Sequence, residues 1–121
     1  MATLNDLSKY IGYEFSSGPY TSQDYKTFQN KYINYLRSLC RSNGWELVNV
    51  GRNHYCFSCF IKSDGKYVYL SVSDVRGYKP EWYTNVLIRR VAHEKDYRGY
   101  TNNYSALPDL QENIARLFGY E

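Results

Sequence analysis

Tyr55-Cys56-Phe57-Ser58-Cys59-Phe60-Ile61-Lys62-Ser63-Asp64-Gly65-Lys66-Tyr67-Val68-Tyr69-Leu70-Ser71-Val72-Ser73 is the stretch on which the fold turns. Two runs rich in β-branched and aromatic residues flank Asp64-Gly65. Asp-Gly in that place favours a type I′ turn, because both central positions of such a turn need positive φ. A two-residue loop then fixes the register: Ser63 faces Lys66, Ile61 faces Val68, Cys59 faces Leu70 and Phe57 faces Val72. Those apolar pairs define a core face. The opposite face carries Ser58 with Ser71, Phe60 with Tyr69, and Lys62 with Tyr67. Two readings of this second face stand: the N-terminal arm covers it, or its rings form a stacking platform for single-stranded bases.

Upstream of the hairpin, Trp45 to Val50 alternates weakly and reads as a first strand, closed by Gly51-Arg52-Asn53. Before it, Thr21-Ser22-Gln23-Asp24 matches a capping box and opens a long helix that stops before Asn43-Gly44. At 100° per residue, Tyr25, Phe28, Tyr32, Tyr35, Leu36 and Leu39 share one face, as a core stripe should. Lys26, Asn30, Asn34, Arg37 and Arg41 share the opposite face, and no acid occurs between Asp24 and Glu46. A helix face whose charges are all positive is a candidate contact for phosphate or for an acidic partner, here through Lys26, Arg37 and Arg41; the plainer reading is a solvated face. Residues 1 to 20 hold short apolar clusters and end in Ser16-Ser17-Gly18-Pro19, which predicts a short helix followed by a less regular arm.

Downstream, Asp74 to Thr84 is a turn-rich connection with Trp82 and Tyr83 as anchors, and Val86 to Ala92 reads as a fourth strand. Pro108 opens a final helix in which Leu110, Ile114, Leu117 and Phe118 form a stripe, with Gly119 just past its end. The expected architecture is a single α+β domain over residues 1 to 121. It has two layers: a four-stranded antiparallel sheet, with the long N-terminal helix and the C-terminal helix on one face.

A chain of 121 residues supports one hydrophobic core. No apolar run approaches the roughly twenty residues of a membrane span, and Met1 to Asp6 has neither the basic start nor the apolar centre of a signal peptide. A cytoplasmic protein that does not engage membranes is expected. Three cysteines, an odd number, fit a reducing compartment rather than a disulfide scaffold. The net charge of +3 is modest, and its sign excludes an acidic imitation of DNA. The 15 tyrosines suit either a recognition surface or the margins of a small core.

The candidate chemistry is limited. His54, Cys56 and Cys59 lie close together, but a Cys-x2-Cys pair that binds zinc sits on a turn, whereas positions 56 and 59 fall within one strand and point to opposite faces. Cys59 belongs to the core face and Cys40 to the edge of the helix stripe, so neither sits in the electropositive, exposed setting of a reactive thiol. There is no glycine-rich phosphate loop, and no cofactor is implied. A metal-independent ribonuclease needs a base, an acid and a cation, which His93, Asp96 and the neighbouring Arg89, Arg90, Lys95 and Arg98 supply in kind. The better-supported reading is a binding surface. From Arg76 to Arg98 there are six Lys/Arg against three acids, interleaved with aromatic rings. Arginine and tyrosine carry much of the energy at interfaces. The candidate contact residues are Arg89, Arg90, His93, Lys95, Tyr97, Arg98, Tyr100, Asn102, Asn103 and Tyr104.

Leu87-Ile88-Arg89, then His93-Glu94-Lys95-Asp96-Tyr97, Gly99 and Asn102-Asn103-Tyr104, together with Ser71-Val72-Ser73-Asp74-Val75-Arg76, resemble a pattern of small proteins carried by phages and conjugative elements of Gram-positive bacteria. The likeness runs from about Tyr25 to Leu117. The pattern departs at Arg98-Gly99-Tyr100, where a second glycine is expected, so the loop is shaped differently here. The resemblance implies a non-enzymatic inhibitor of a host defence system, of the anti-CRISPR kind, that binds an RNA-guided nuclease or its ribonucleoprotein complex. Guide RNA or another nucleic acid is a possible direct contact, and the alternatives are a single-stranded nucleic-acid-binding domain and the small ribonuclease.

Overall fold

The computed structural model describes residues 4–11, 23–53, 56–72, 81–96 and 98–119. The expected capping hydroxyl at Thr21, His54 and Tyr97 lie outside them. In chain order the elements are α1 (Leu4–Ser8), α2 (Gln23–Ser42), β1 (Glu46–Asn53), β2 (Cys56–Ser63), β3 (Lys66–Val72), α3 (Glu81–Thr84), β4 (Val86–Val91), β5 (Asn103–Ser105) and α4 (Leu110–Phe118), the last entered through a 3-10 turn at Leu107–Asp109. The sheet is antiparallel, with strands in sequence order β1-β2-β3-β4-β5. No helix among the described residues is long and apolar enough to cross a membrane.

The hairpin has the expected register, from Phe57 opposite Val72 to Ser63 opposite Lys66. Asp64 and Gly65 have φ of 49° and 76°, the pair of positive values that a type I′ turn demands. With the turn set, period-2 alternation sends Phe57, Cys59, Ile61, Val68, Leu70 and Val72 to the inner face. There they join Tyr25, Phe28, Tyr32 and Leu36 of α2 and Leu110, Ile114 and Leu117 of α4 in one core. Its centre is aromatic: the Phe28 ring meets those of Trp82, Tyr10 and Tyr32 edge-on at 4.8, 5.1 and 5.8 Å. The Tyr32 hydroxyl donates to the Trp82 carbonyl at 3.0 Å, which satisfies the phenol inside the core and fixes α3 to α2. Trp82 is thus the anchor expected of it.

Three features depart from the expected architecture. The sheet has five strands, not four. The fifth, Asn103–Ser105, is too short and too polar to announce itself by alternation, and it forms because the free edge of β4 needs hydrogen-bond partners. The first strand does not close at Gly51-Arg52-Asn53 but continues through it. A bulge between Val48 and Gly51, with Asn49 at φ 50°, inserts one residue against β2. The insertion resets the alternation: Val50 packs against the core beside Leu47, and Arg52 reaches α2, where its Nη1 donates to Gln29 Oε1 at 3.2 Å and Asn30 Oδ1 at 2.7 Å.

The third departure concerns the outer face, where the ring of Phe60 has 0% exposure and Val91 is buried as well. A buried Phe60 cannot serve as an open platform for bases. The described part of the N-terminal arm is not its cover either: Leu7 belongs to the inner core, and Leu4 and Tyr10 pack against that core. The turn after β4 contributes to the cover, since Asn49 of β1 donates through Nδ2 to the carbonyl of Glu94 at 2.7 Å. That bond links one edge of the sheet to the chain leaving β4, three strands and roughly 14 Å away. The turn therefore lies back across the outer face.

This arrangement makes the outer face a second, smaller core. Phe60→Ala is expected to lose about 3 kcal/mol of stability in urea unfolding, as much as Phe57→Ala in the main core. A loss below about 1 kcal/mol would show that Phe60 is merely shielded.

Candidate functional site

The segment after β4 is built around Asp96. Its carboxylate accepts three backbone N–H bonds: from Ala92 through Oδ2 at 2.9 Å, and from Gly99 and Arg98 through Oδ1 at 2.9 and 3.1 Å. These bonds, led by the one from Ala92, hold the carboxyl below its ordinary pKa, with a smaller contribution from nearby His93. One side chain thus closes a loop that has no regular structure of its own. Beyond it, Gly99 returns against β4 at φ 60°, and the Tyr100 N–H donates to the Arg90 carbonyl at 2.9 Å. A Cβ on Gly99 would come within 2.5 Å of that carbonyl and 2.6 Å of Val91 Cγ1. Only glycine fits.

This geometry sorts the sequence-derived candidates into separate groups. Arg89 and Asn102 are used internally: the Arg89 guanidinium lies 4.7 Å from the centre of the Tyr69 ring, and its Nη1 donates to Asn102 Oδ1 at 3.0 Å. The Tyr69 ring in turn lies 5.1 Å from that of Phe60, so a ring, a second ring, a cation and an amide run in sequence across the outer face. His93 and Lys95 are exposed at the tip of the turn, with His93 Nδ1 accepting the Lys95 N–H at 3.1 Å. The carboxylate that the ribonuclease reading pairs with His93 is the one already holding three N–H groups.

Arg90 alternates with Arg89 and emerges on the inner face, opposite Val68. With Tyr100, Asn103, Thr101 and Leu117 it lines a groove of about 310 Å3 between the sheet edge and the end of α4. Its guanidinium is 5.7 Å from the centre of the Tyr100 ring. Tyr104, opposite Leu87, stands on the other face of the same edge. Tyr100 and Tyr104 are 65% and 57% exposed, and Arg98 is exposed beside them. The structure thus brings Arg90, Tyr100 and Asn103 together, and sets Tyr104 and the His93 turn apart from them. Lys26, Arg37 and Arg41 are exposed along α2, away from the core stripe.

Thr101, Leu117 and Asn49 are missing from the sequence-derived set. Leu117 read only as a stripe residue, and Asn49 only as a strand residue; an asparagine two places before a glycine in a strand is the signal for a bulge that was there to be used.

The thiols offer no reactive group inside the core. Burial raises the Cys40 pKa to about 12, and burial together with nearby Cys40 raises that of Cys59 well above the ordinary thiol value. No group of three or more His, Cys, Asp or Glu that could hold a metal ion occurs among the described residues. No protein-family model, curated protein or solved structure matches this chain.

Gly99 and Gly65 provide a matched test of the loop. Both have positive φ, but a Cβ on Gly65 meets open space. Gly65→Ala should cost about 1 kcal/mol from backbone strain alone, whereas Gly99→Ala, with the added clash against Arg90 and Val91, should cost at least about 2 kcal/mol more in the same urea titration. Equal losses would mean that the loop does not press on β4.

Proposed function

We propose that this chain is a non-enzymatic interaction protein of a mobile genetic element, and that it inhibits a bacterial RNA-guided defence nuclease by docking on it through the β5 edge of its sheet. The observation that carries the reading is the pair of exposed rings at this edge, Tyr104 within the three-residue strand and Tyr100 in the segment that leads into it. Large rings left in water on a short, polar edge are the residue type that contributes most when a partner covers them. Arg98 adds a charge-assisted donor at the same edge. The choice of partner is supported by the resemblance of residues 87–104 to small mobile-element proteins. A chain of net charge +3 would act by occupying an acidic protein surface or by touching the guide RNA, not by standing in for DNA.

The test is protection in a cell. A bacterium carrying an RNA-guided nuclease directed at a phage is transformed with the gene for this chain, and phage plating is counted. Plating should rise with the parent chain. The Tyr100→Ala/Tyr104→Ala double variant, checked for an unchanged unfolding midpoint, should weaken capture of the nuclease complex from lysate by about tenfold or more. A parent that never protects, across nucleases of several classes, or a double variant that protects equally well, would overturn the reading.

A further inference from the structure

We propose that the groove between Arg90 and Tyr100 binds one unpaired nucleotide of a single-stranded nucleic acid, with the base against the Tyr100 ring and the phosphate at Arg90. The inference rests on the reading of this edge as a docking surface, and adds to it the chemistry that the edge selects.

The groove has the three parts such a ligand needs. The first is a ring with a free face: Tyr100 is 65% exposed and set at the mouth. Every base can stack on it, whatever the sequence. The second is a cation. Arg90 is half-buried, and among the described residues no carboxylate pairs with it. Its 5.7 Å separation from the Tyr100 ring is looser than the 4.7 Å of Arg89 over Tyr69, so its donors are less committed to the ring than those of its neighbour. A guanidinium beside a ring is suited to a phosphate, whose oxygens match its fork of donors. The third is a polar rim for the base edge. Asn103 uses its Nδ2 on the Thr101 carbonyl at 3.0 Å, which fixes the amide plane and leaves Oδ1 as an acceptor, and the Thr101 hydroxyl is a donor or acceptor beside it.

Size and charge narrow the choice. A volume of about 310 Å3 is at the small end of ligand sites and suits one nucleotide. Among the described residues no acid lines it; Val68 stands opposite Arg90 on β3, and Lys66, two residues before Val68, donates through Nζ to the Phe118 carbonyl at 2.9 Å beside the end of the groove. A peptide would need apolar recesses for its side chains, and among the described residues Leu117 is the only aliphatic one in the lining. Against a phosphate, by contrast, Arg90 in the lining and Lys66 beyond the groove's end have the right sign.

The experiment uses the purified full chain, with no nuclease present, so failure to protect a cell and failure to bind a strand are read separately. A fluorescein-labelled oligouridine is titrated by anisotropy, together with its deoxy counterpart, which shows whether the 2′-hydroxyl is read. Tyr100→Ala should weaken binding about tenfold through lost stacking. Arg90→Gln should weaken it similarly and lower the slope of log affinity against log salt by about one. Arg116→Gln, at an exposed residue paired with Glu112 at 3.6 Å on α4, should leave both unchanged. Uridine monophosphate should shift the amide resonances of Thr101, Asn103 and Leu117. Absence of binding by the parent, full binding by both Tyr100→Ala and Arg90→Gln, or displacement of the oligomer by an equal concentration of an acidic peptide would overturn the proposal.

Discussion

A sheet with apolar side chains on both faces has to be covered twice. In this chain the inner face is closed by α2 and α4, in the usual way of a two-layer domain, and the outer face is closed by the chain's own path after β4. Phe60 and Val91 are the residues that demand the second cover. Burying a phenylalanine is worth about 2 kcal/mol, enough to set the direction of a loop that regular hydrogen bonding does not determine. Asp96 then ties the turn to itself, Asn49 ties it to the far edge of the sheet, and Gly99 brings the chain back to β4. The fifth strand, the exposed tyrosines and the groove all follow from where that return leaves the chain.

Two adjacent arginines show how the same backbone gives neighbouring cations different surroundings. Strand alternation sends Arg89 and Arg90 to opposite faces. Arg89 falls under the returning loop, between the Tyr69 ring and the Asn102 amide, and its charge is spent inside the fold. Arg90 emerges where the sheet meets the end of α4, beside a ring that water still reaches. A single residue of register separates a cation held between a ring and an amide from one that lines the groove. The register of β4 against β3 decides which is which.

Much of this fold is legible in the sequence because its strongest signals are local. Asp64-Gly65 fixes the hairpin within a few residues, and the stripe from Tyr25 to Leu39 needs only the helical period. The pairing of Phe60 with Tyr69 was readable in the same way, but not the burial of Phe60, which depends on a segment more than thirty residues further on. The fifth strand, Asn103–Ser105, carries no pattern because its stability belongs to the edge it pairs with. The bulge at Asn49 hides for a related reason: one inserted residue shifts the alternation of β1, so that its second half reads as a turn. As for the candidate contact residues, composition gathered them into one segment of the chain. It could not say that Arg89 and Asn102 satisfy one another while Arg90, Tyr100 and Asn103 converge, since that depends on the return of the loop at Gly99.

The tyrosine excess divides along the same lines. Tyr25 and Tyr32 are core residues with their hydroxyls satisfied by Gln29 and by the Trp82 carbonyl, and Tyr69 belongs to the covered outer face. Tyr100 and Tyr104 remain exposed. All of this depends on the turn after β4 lying across the sheet, and nuclear Overhauser contacts between the side-chain amide of Asn49 and the backbone protons of Glu94 and Lys95 test that most directly. The account predicts clear cross-peaks between these two ends of the sheet; their absence, with the Glu94 and Lys95 protons seeing only their sequence neighbours, would contradict it.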